Sequence, residues 1–442
     1  MSLLGNLCGL RKGTLFGETA PYVDKAKAPG FTPIPQPTLL GWLAGAPFLL
    51  FTSPNGVWAA VSLLLYFLFP YDLSSTSAAA SSPLSRAFFA QRAPLWLALT
   101  FGYAGVWHVG VLLFSRRPFI AGRPYNAAKT LHNVFWSFWG VLVWVAFENL
   151  FCYLWATRRL AFVSDRDSLG GSAAGALRFA AALLGVPAWR AFHFYFSHRF
   201  LHFNAMYKFV HSLHHRNTDI EPFAGLAMHP VEHLFYFACV LPSLALLCSP
   251  FAFLWNGVHL LLSPAASHSG WEDHFGGGVF HYAHHRYFEV NYAGADVAFL
   301  DAAFGSFAPS FEHSRADKES GRVSLREDAK STLAGLPSAE FCAYLAAAAA
   351  ALGAWARAAQ ALAAGGAPPP AAEAALLAAL AGLGPVAAAE LGALLLGGAD
   401  KGRPAPKGWG AGTFALHGAC GLACCSLPVA WACWLALQPA GA

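Results

Sequence analysis

The chain has 442 residues and a formal net charge of +5, with 56% hydrophobic and only 12% charged residues. Soluble domains carry about 25% charged residues, so the composition excludes an ordinary water-soluble enzyme. With no basic patch interleaved with aromatics, nothing points to nucleic acid. The nine cysteines form no Cys-x-x-Cys pair, which argues against a zinc ribbon or a disulfide framework; they read as small buried hydrophobes.

In chain order, residues 1–30 form a polar arm that carries Arg11 and Lys12 and lacks the uninterrupted apolar run of a cleaved signal peptide. The first membrane segment then acts as the targeting signal. Charge-free runs follow at 28–71, 93–115, 130–147, 234–271 and 408–442. A helix needs about 20 apolar residues to cross the hydrocarbon core. The second run fits one crossing, and the third reaches that length by passing Glu148. The first, fourth and fifth are long enough for hairpins of two crossings each.

These runs predict an all-α fold, a polytopic integral membrane helical bundle. Residues 31–182 read as N-terminal transmembrane helices, 183–307 as a catalytic domain and 308–337 as a polar linker. Residues 338–442 are Ala-rich and fit either further C-terminal membrane helices or a compositional bias.

Fourteen of the eighteen histidines lie between His193 and His285, and eight of them fall in three boxes. The first holds His198 and His202, the second His211, His214 and His215, the third His281, His284 and His285. On a helix, residues at i, i+3 and i+4 share one face, so each box is expected to aim its rings at one point. Imidazole is the commonest nitrogen ligand for Fe, Cu and Zn. Eight converging rings exceed the four that one tetrahedral metal takes, which points to two metals.

The boxes can share metals only on one side of a membrane. The 38 residues of 234–271 span about 57 Å as helix, roughly twice the hydrocarbon thickness, and Ser249-Pro250 supplies a turn. Two crossings return the chain to the same face. Arg190, Arg199, Lys208, Arg216 and Arg286 accompany the boxes and favour a cytosolic location.

The wider pattern is more specific. It runs from His193 through the first two boxes to Met228-His-Pro-Val-Glu-His233, then His268-Ser-Gly270, the third box, Asn291-Tyr292, and Asp301-Ala-Ala-Phe-Gly-Ser306. In this order it resembles the fatty acid hydroxylase/sterol desaturase superfamily. The resemblance implies a non-haem diiron enzyme of the endoplasmic reticulum membrane that uses O2 to hydroxylate or desaturate a lipid. By that resemblance the eight box histidines are iron ligands, His268 is a further ligand and His229 another candidate. The His-Ser-Gly element favours a sterol substrate, with a fatty acyl chain as the alternative. Electrons would come from a small b-type cytochrome and its NADH-dependent reductase, docked on the basic residues beside the boxes.

Three positions depart from the family pattern. Ala191 stands where an acidic residue is usual, Ala293 displaces the glycine after Asn291-Tyr292, and Ser306 replaces a threonine. A reading from a different class, a non-catalytic membrane metal-binding or transport protein, would place its ligands within the spans near the midplane. Here the boxes sit among Arg, Lys, Asn and Asp. The run His229-Pro-Val-Glu232-His233 also fits the H-x-x-E-H peptidase pattern, which leaves the three boxes unexplained. His193 is expected to orient a ligand, and His233 to ligate or to orient His229. His274 reads as a surface residue, and His108, His132, His259, His313 and His417 as structural.

Overall fold

A computed structural model describes residues 54–114, 125–245, 247–270, 277–288, 290–304, 306–308, 417–425, 431 and 434–435. The N-terminal arm, the first half of the first hairpin, nearly all of the 308–337 linker, most of 338–442, His274 and His313 lie outside the described residues. Within them every regular element is helical, as the sequence predicts.

Helices α1 (Asn55–Leu68), α2 (Arg86–Phe114) and α3 (Ala127–Ala156) come first. The Asn126 side chain accepts from Lys129 N and starts α3. Among the described residues, α3 is the one helix long and apolar enough to cross a membrane by length and composition. The expected crossing at 93–115 falls in α2, which also carries Arg86 and Arg92 in its first turns. A short helix, α4 (Asp165–Ser168), leads to α5 (Ala173–Leu201), whose first turn is capped by Ser172 accepting from Gly175 N.

After α6 (Asn204–Phe209) the chain tightens into two 3-10 turns, His211–Arg216 and Pro222–Leu226. The apolar run that follows folds back on itself. Its outward limb is α7 (Pro230–Phe237), a 3-10 turn (Ala238–Val240) and α8 (Leu241–Ala245). Its return limb is α9 (Pro250–Ser267), started by Ser249 accepting from Ala252 N with Pro250 at the first helical position. Eighteen residues of helix are about 27 Å long, close to the thickness of a hydrocarbon core. Glu232, at the start of this hairpin, bonds His211, and His268, just past its end, meets the third box. The chain therefore leaves the histidine site and returns to it.

Two further short helices, α10 (Gly277–Tyr287) and α11 (Phe299–Ala303), complete the numbered elements. Residues 417–425 are helical and pack on α5, where His193 Nε2 meets the Cys424 carbonyl and His417 lies against Tyr195.

The core is aromatic. Trp144 stacks on Phe253 at 5.4 Å and meets Trp96 edge-on at 5.7 Å, with Phe151, Trp155 and Phe237 around them. Gly257 on α9 makes this approach possible, because a Cβ there would overlap the Trp144 ring. Beside this core Glu148 is wholly buried and accepts from Arg92 Nη2 (2.6 Å), Trp96 Nε1 (2.7 Å) and the Tyr71 hydroxyl (2.8 Å). The outward faces are apolar instead: Phe67 is 67% exposed, Val106 72%, Leu131 68% and Leu177 74%.

Candidate metal centre

Nine buried histidines form two groups, in each of which one nitrogen per ring lies within 4.8 Å of all the others. The first group is His198, His202, His211, His215 and His284; the second is His214, His268, His281 and His285. All eight box histidines and His268 are thus brought together. Within the first group, His215 Nε2 lies 3.2 Å from His202 Nε2 and 3.1 Å from both His211 Nε2 and His284 Nε2. Within the second, His268 Nε2 lies 3.1 Å from both His281 Nε2 and His285 Nε2.

The grouping corrects the expectation that each box aims at one point. Only the first box does so: His198 on the last turn of α5 and its cap His202, four residues on, share a face. In the second box His211 and His215 face one group while His214 faces the other. In the third, His281 and His285 face the second group and His284 the first. The second box also forms a 3-10 turn rather than an α-helix. That winding is not the cause of the split, because the α-helical third box divides in the same way, His281 with His285 and His284 apart.

The rings are held from behind. His198 Nδ1 donates to the Tyr292 carbonyl (2.7 Å), His284 Nδ1 to the Val290 carbonyl (2.7 Å), and His268 Nδ1 to the Pro264 carbonyl (2.8 Å). His211 Nδ1 donates to Glu232 Oε1 at 2.7 Å. A carbonyl only accepts, so the proton sits on Nδ1 and leaves Nε2 with its lone pair facing the group. Burial and the neighbouring imidazoles hold His215 and His284 well below the ordinary imidazole value, which keeps the rings neutral. Burial pushes the Glu232 carboxyl the other way, up to about 8.

Converging lone pairs with too few protons between them are the donor set of a cation. Five rings in the first group exceed the four ligands of a structural zinc, and the four in the second equal them. Neighbouring rings of the two groups are in contact, with His215 and His285 centroids 4.8 Å apart.

A buried strap orders the segment behind the third box. Asp301 accepts from Tyr292 N (2.9 Å), Ala293 N (2.8 Å) and the Ser306 hydroxyl (2.5 Å). Asn291, in left-handed backbone at φ 52°, donates to the Phe280 and Ala308 carbonyls and accepts from Ala308 N. The Asn-Tyr and Asp-x-x-Phe-Gly-Ser elements thus set the carbonyls that hold His198 and His284. Ser306 supplies the hydroxyl of the threonine it replaces. His268-Ser-Gly270 is the end of α9: His268 caps the helix, and Gly270, at φ 77°, turns the chain out of it.

Other expected residues lie elsewhere. His229 is in neither group; its Nδ1 accepts from Val231 N and starts α7. His193 orients no ligand, because it projects from another face of α5 towards Cys424. His233 turns towards the Leu226 carbonyl against Gly140. Arg199 is buried with its guanidinium 3.8 Å over the Tyr292 ring, and Arg190 bonds the Tyr236 hydroxyl. Neither offers the docking charge expected of it; Lys208 and Arg216 are exposed. Glu232, quoted in the sequence only inside longer motifs and given no role of its own, is a residue that the sequence reading missed.

Residues 183–306 match the fatty acid hydroxylase family. The match covers this segment alone, 124 of the 442 residues. The segment contains all nine grouped histidines and the strap behind them. The chain is 30% identical over 146 residues to a putative methylsterol monooxygenase of Dictyostelium discoideum, covering 29% of this chain and 51% of that protein. It is 33% identical over 122 residues to a Delta(7)-sterol 5(6)-desaturase of Gibberella zeae, covering 24% and 32%. To methylsterol monooxygenase 1 of Gallus gallus it is 30% identical over 137 residues, covering 28% and 45%. The matches thus span about half or less of these curated relatives. No solved structure matches the chain.

Proposed function

We propose that the chain is a membrane-bound oxidoreductase that uses O2 to hydroxylate or desaturate a lipid, most specifically a sterol, with one iron ion in each histidine group. The observation that carries this reading is the set of nine buried imidazoles in two touching groups, in a domain whose relatives are named for sterol oxidation. Two bound irons would supply the redox chemistry with which O2 attacks an unactivated C–H bond.

The chain's own residues do the rest. His198, His202, His211, His215 and His284 would hold one ion, and His214, His268, His281 and His285 the other. The Nδ1 bonds to Tyr292, Val290, Pro264 and Glu232 fix ring tautomer and direction, so each nitrogen presents a lone pair without reorganisation. All nine rings are buried, which keeps bulk water from the ligands.

The exposed apolar faces of α1, α2, α3 and α5 support a polytopic bundle in the endoplasmic reticulum membrane, where a lipid reaches the site laterally. The hairpin between Glu232 and His268 makes two of the crossings. Exposed Lys208 and Arg216 support a cytosolic face for the histidines. There a small b-type cytochrome, reduced by its NADH-dependent reductase, would deliver electrons. In this reading 183–307 is the catalytic domain, 31–182 and 338–442 are membrane regions, and 1–30 and 308–337 are polar segments.

Sterol and acyl-chain profiling of a host with and without the chain tests the reading, with His284→Ala as control. Consumption of a sterol precursor by the wild-type chain alone is expected. A change confined to acyl chains would refute the sterol assignment, and identical profiles would refute the oxidase.

A further inference from the structure

A hydrogen-bonded chain runs from α3 to the second histidine box. Asn133 is fully buried, and its Nδ2 donates to Glu221 Oε1 at 2.6 Å and to Asn217 Oδ1 at 2.9 Å. One turn earlier on α3, the Thr130 hydroxyl donates to Glu221 Oε2 at 2.9 Å. Asn217 passes the contact on, since its backbone N (3.2 Å) and its Nδ2 (3.3 Å) both donate to the His214 carbonyl. Glu221 and Asn217 are also buried. Four buried polar side chains from α3 and the 217–221 segment thus converge on the backbone of one ring-bearing residue.

The position of this chain of contacts is telling. His214 is the one residue of its box that faces the second group, and it sits in a 3-10 turn, which has poorer hydrogen-bond geometry than an α-helix. His198, His211, His268 and His284 are braced through their own rings. The contacts from Asn133 instead hold the His214 backbone. Asn133 and Thr130 lie outside residues 183–306, so this support comes from beyond the segment that matches the family.

We infer that Asn133, through Glu221 and Asn217, is a positioning residue that sets His214 for the second metal ion, making α3 a working part of that site. This rests on the two-ion reading above. The physical reason is geometric: a turn free to relax by a fraction of an ångström carries its imidazole out of ligand range, and partners one shell out are typically worth 10–100-fold in metal affinity.

The test uses the full chain, purified in detergent and titrated anaerobically with Fe(II), with Mössbauer spectra of the 57Fe-loaded protein as a second readout. Asn133→Asp sets a carboxylate against Glu221 and removes both donations. It should weaken one of the two ions about 10–100-fold, leaving the other ion's affinity and quadrupole doublet unchanged. Adding Glu221→Gln to Asn133→Asp removes the carboxylate repulsion but still leaves Asn217 Oδ1 without its donor, so the lost ion should stay weak. An unchanged affinity of the other ion in both variants would show that neither is merely unfolded. Two ions bound as tightly in Asn133→Asp as in wild type would overturn the inference. So would equal weakening of both ions, or full recovery in the double variant. A wild-type chain that binds fewer than two ions would overturn both this inference and the two-ion reading.

Discussion

His214 and His215 are consecutive residues whose rings face different nitrogen groups, with centroids 5.8 Å apart and planes inclined at 82°. One short turn therefore stands between two sites. The third box does the same on an α-helix, where consecutive His284 and His285 face different groups with centroids 5.8 Å apart.

That partition predicts which substitutions act together. In the wild-type chain two irons per chain are expected on elemental analysis of anaerobically loaded protein. His202→Ala and His284→Ala should perturb the same ion, although they come from different boxes, and His281→Ala should perturb the other. Each should lower affinity at its own ion more than about tenfold. Spectra in which His284→Ala and His281→Ala strike the same ion would refute the grouping.

Glu232 should matter through His211. Glu232→Gln keeps a side-chain oxygen to accept from Nδ1 but can no longer ionise to strengthen the bond. Glu232→Leu removes the acceptor altogether. Iron affinity at the five-histidine group should fall in the order wild type, Gln, Leu, with a total span of about 10–100-fold. Equal affinities in competition with a calibrated chelator would remove Glu232 from the site.

The Arg92–Glu148 pair belongs to the bundle and not to the chemistry. Glu148→Leu leaves a buried guanidinium without its counter-ion and should cost about 3–5 kcal/mol. Adding Arg92→Met to Glu148→Leu removes the stranded charge and should recover most of that loss. Thermal unfolding in detergent reads both. A Glu148→Leu chain as stable as wild type would show that the pair contributes nothing.

Electron delivery should depend on Lys208 and Arg216 and not on Arg199. Reversing the two exposed charges to Glu should raise the KM for the donor protein on the order of threefold to tenfold, more at low salt. Arg199→Lys should leave that KM alone and alter kcat, because its guanidinium packs on Tyr292, whose carbonyl holds His198. A donor KM indifferent to Lys208 and Arg216 would place docking elsewhere.

Much of the site was legible in the sequence because its signals are local. Box spacings, the His-Ser-Gly element and the Asn-Tyr and Asp-x-x-Phe-Gly-Ser elements are each contained within a few residues, and every grouped histidine was named from them. The division of the boxes was not legible, since residues at i, i+3 and i+4 span an arc wide enough to face two points, and the packing of the other elements decides which ring meets which group. Asn133 carried no signal at all: it meets Asn217 from 84 positions away. Arg199 misled because a basic residue beside a box looks the same in sequence whether it faces water or an aromatic ring. The fold-back of the 234–271 run was read correctly from length and the Ser-Pro turn. His229 misled because a helix-capping imidazole and a ligand are alike in sequence.

The strap behind the third box acts as a ruler. The carbonyls that hold His284 and His198 belong to Val290 and Tyr292, two residues apart, with Asn291 in left-handed backbone between them. One residue inserted between 290 and 292 would slide one carbonyl away from its imidazole while the other stayed in place. Insertions there should be absent from working versions of this protein, however freely the surrounding loops vary in length. The displaced glycine obeys this rule, because the extra residue, Ala293, falls just beyond the second graduation.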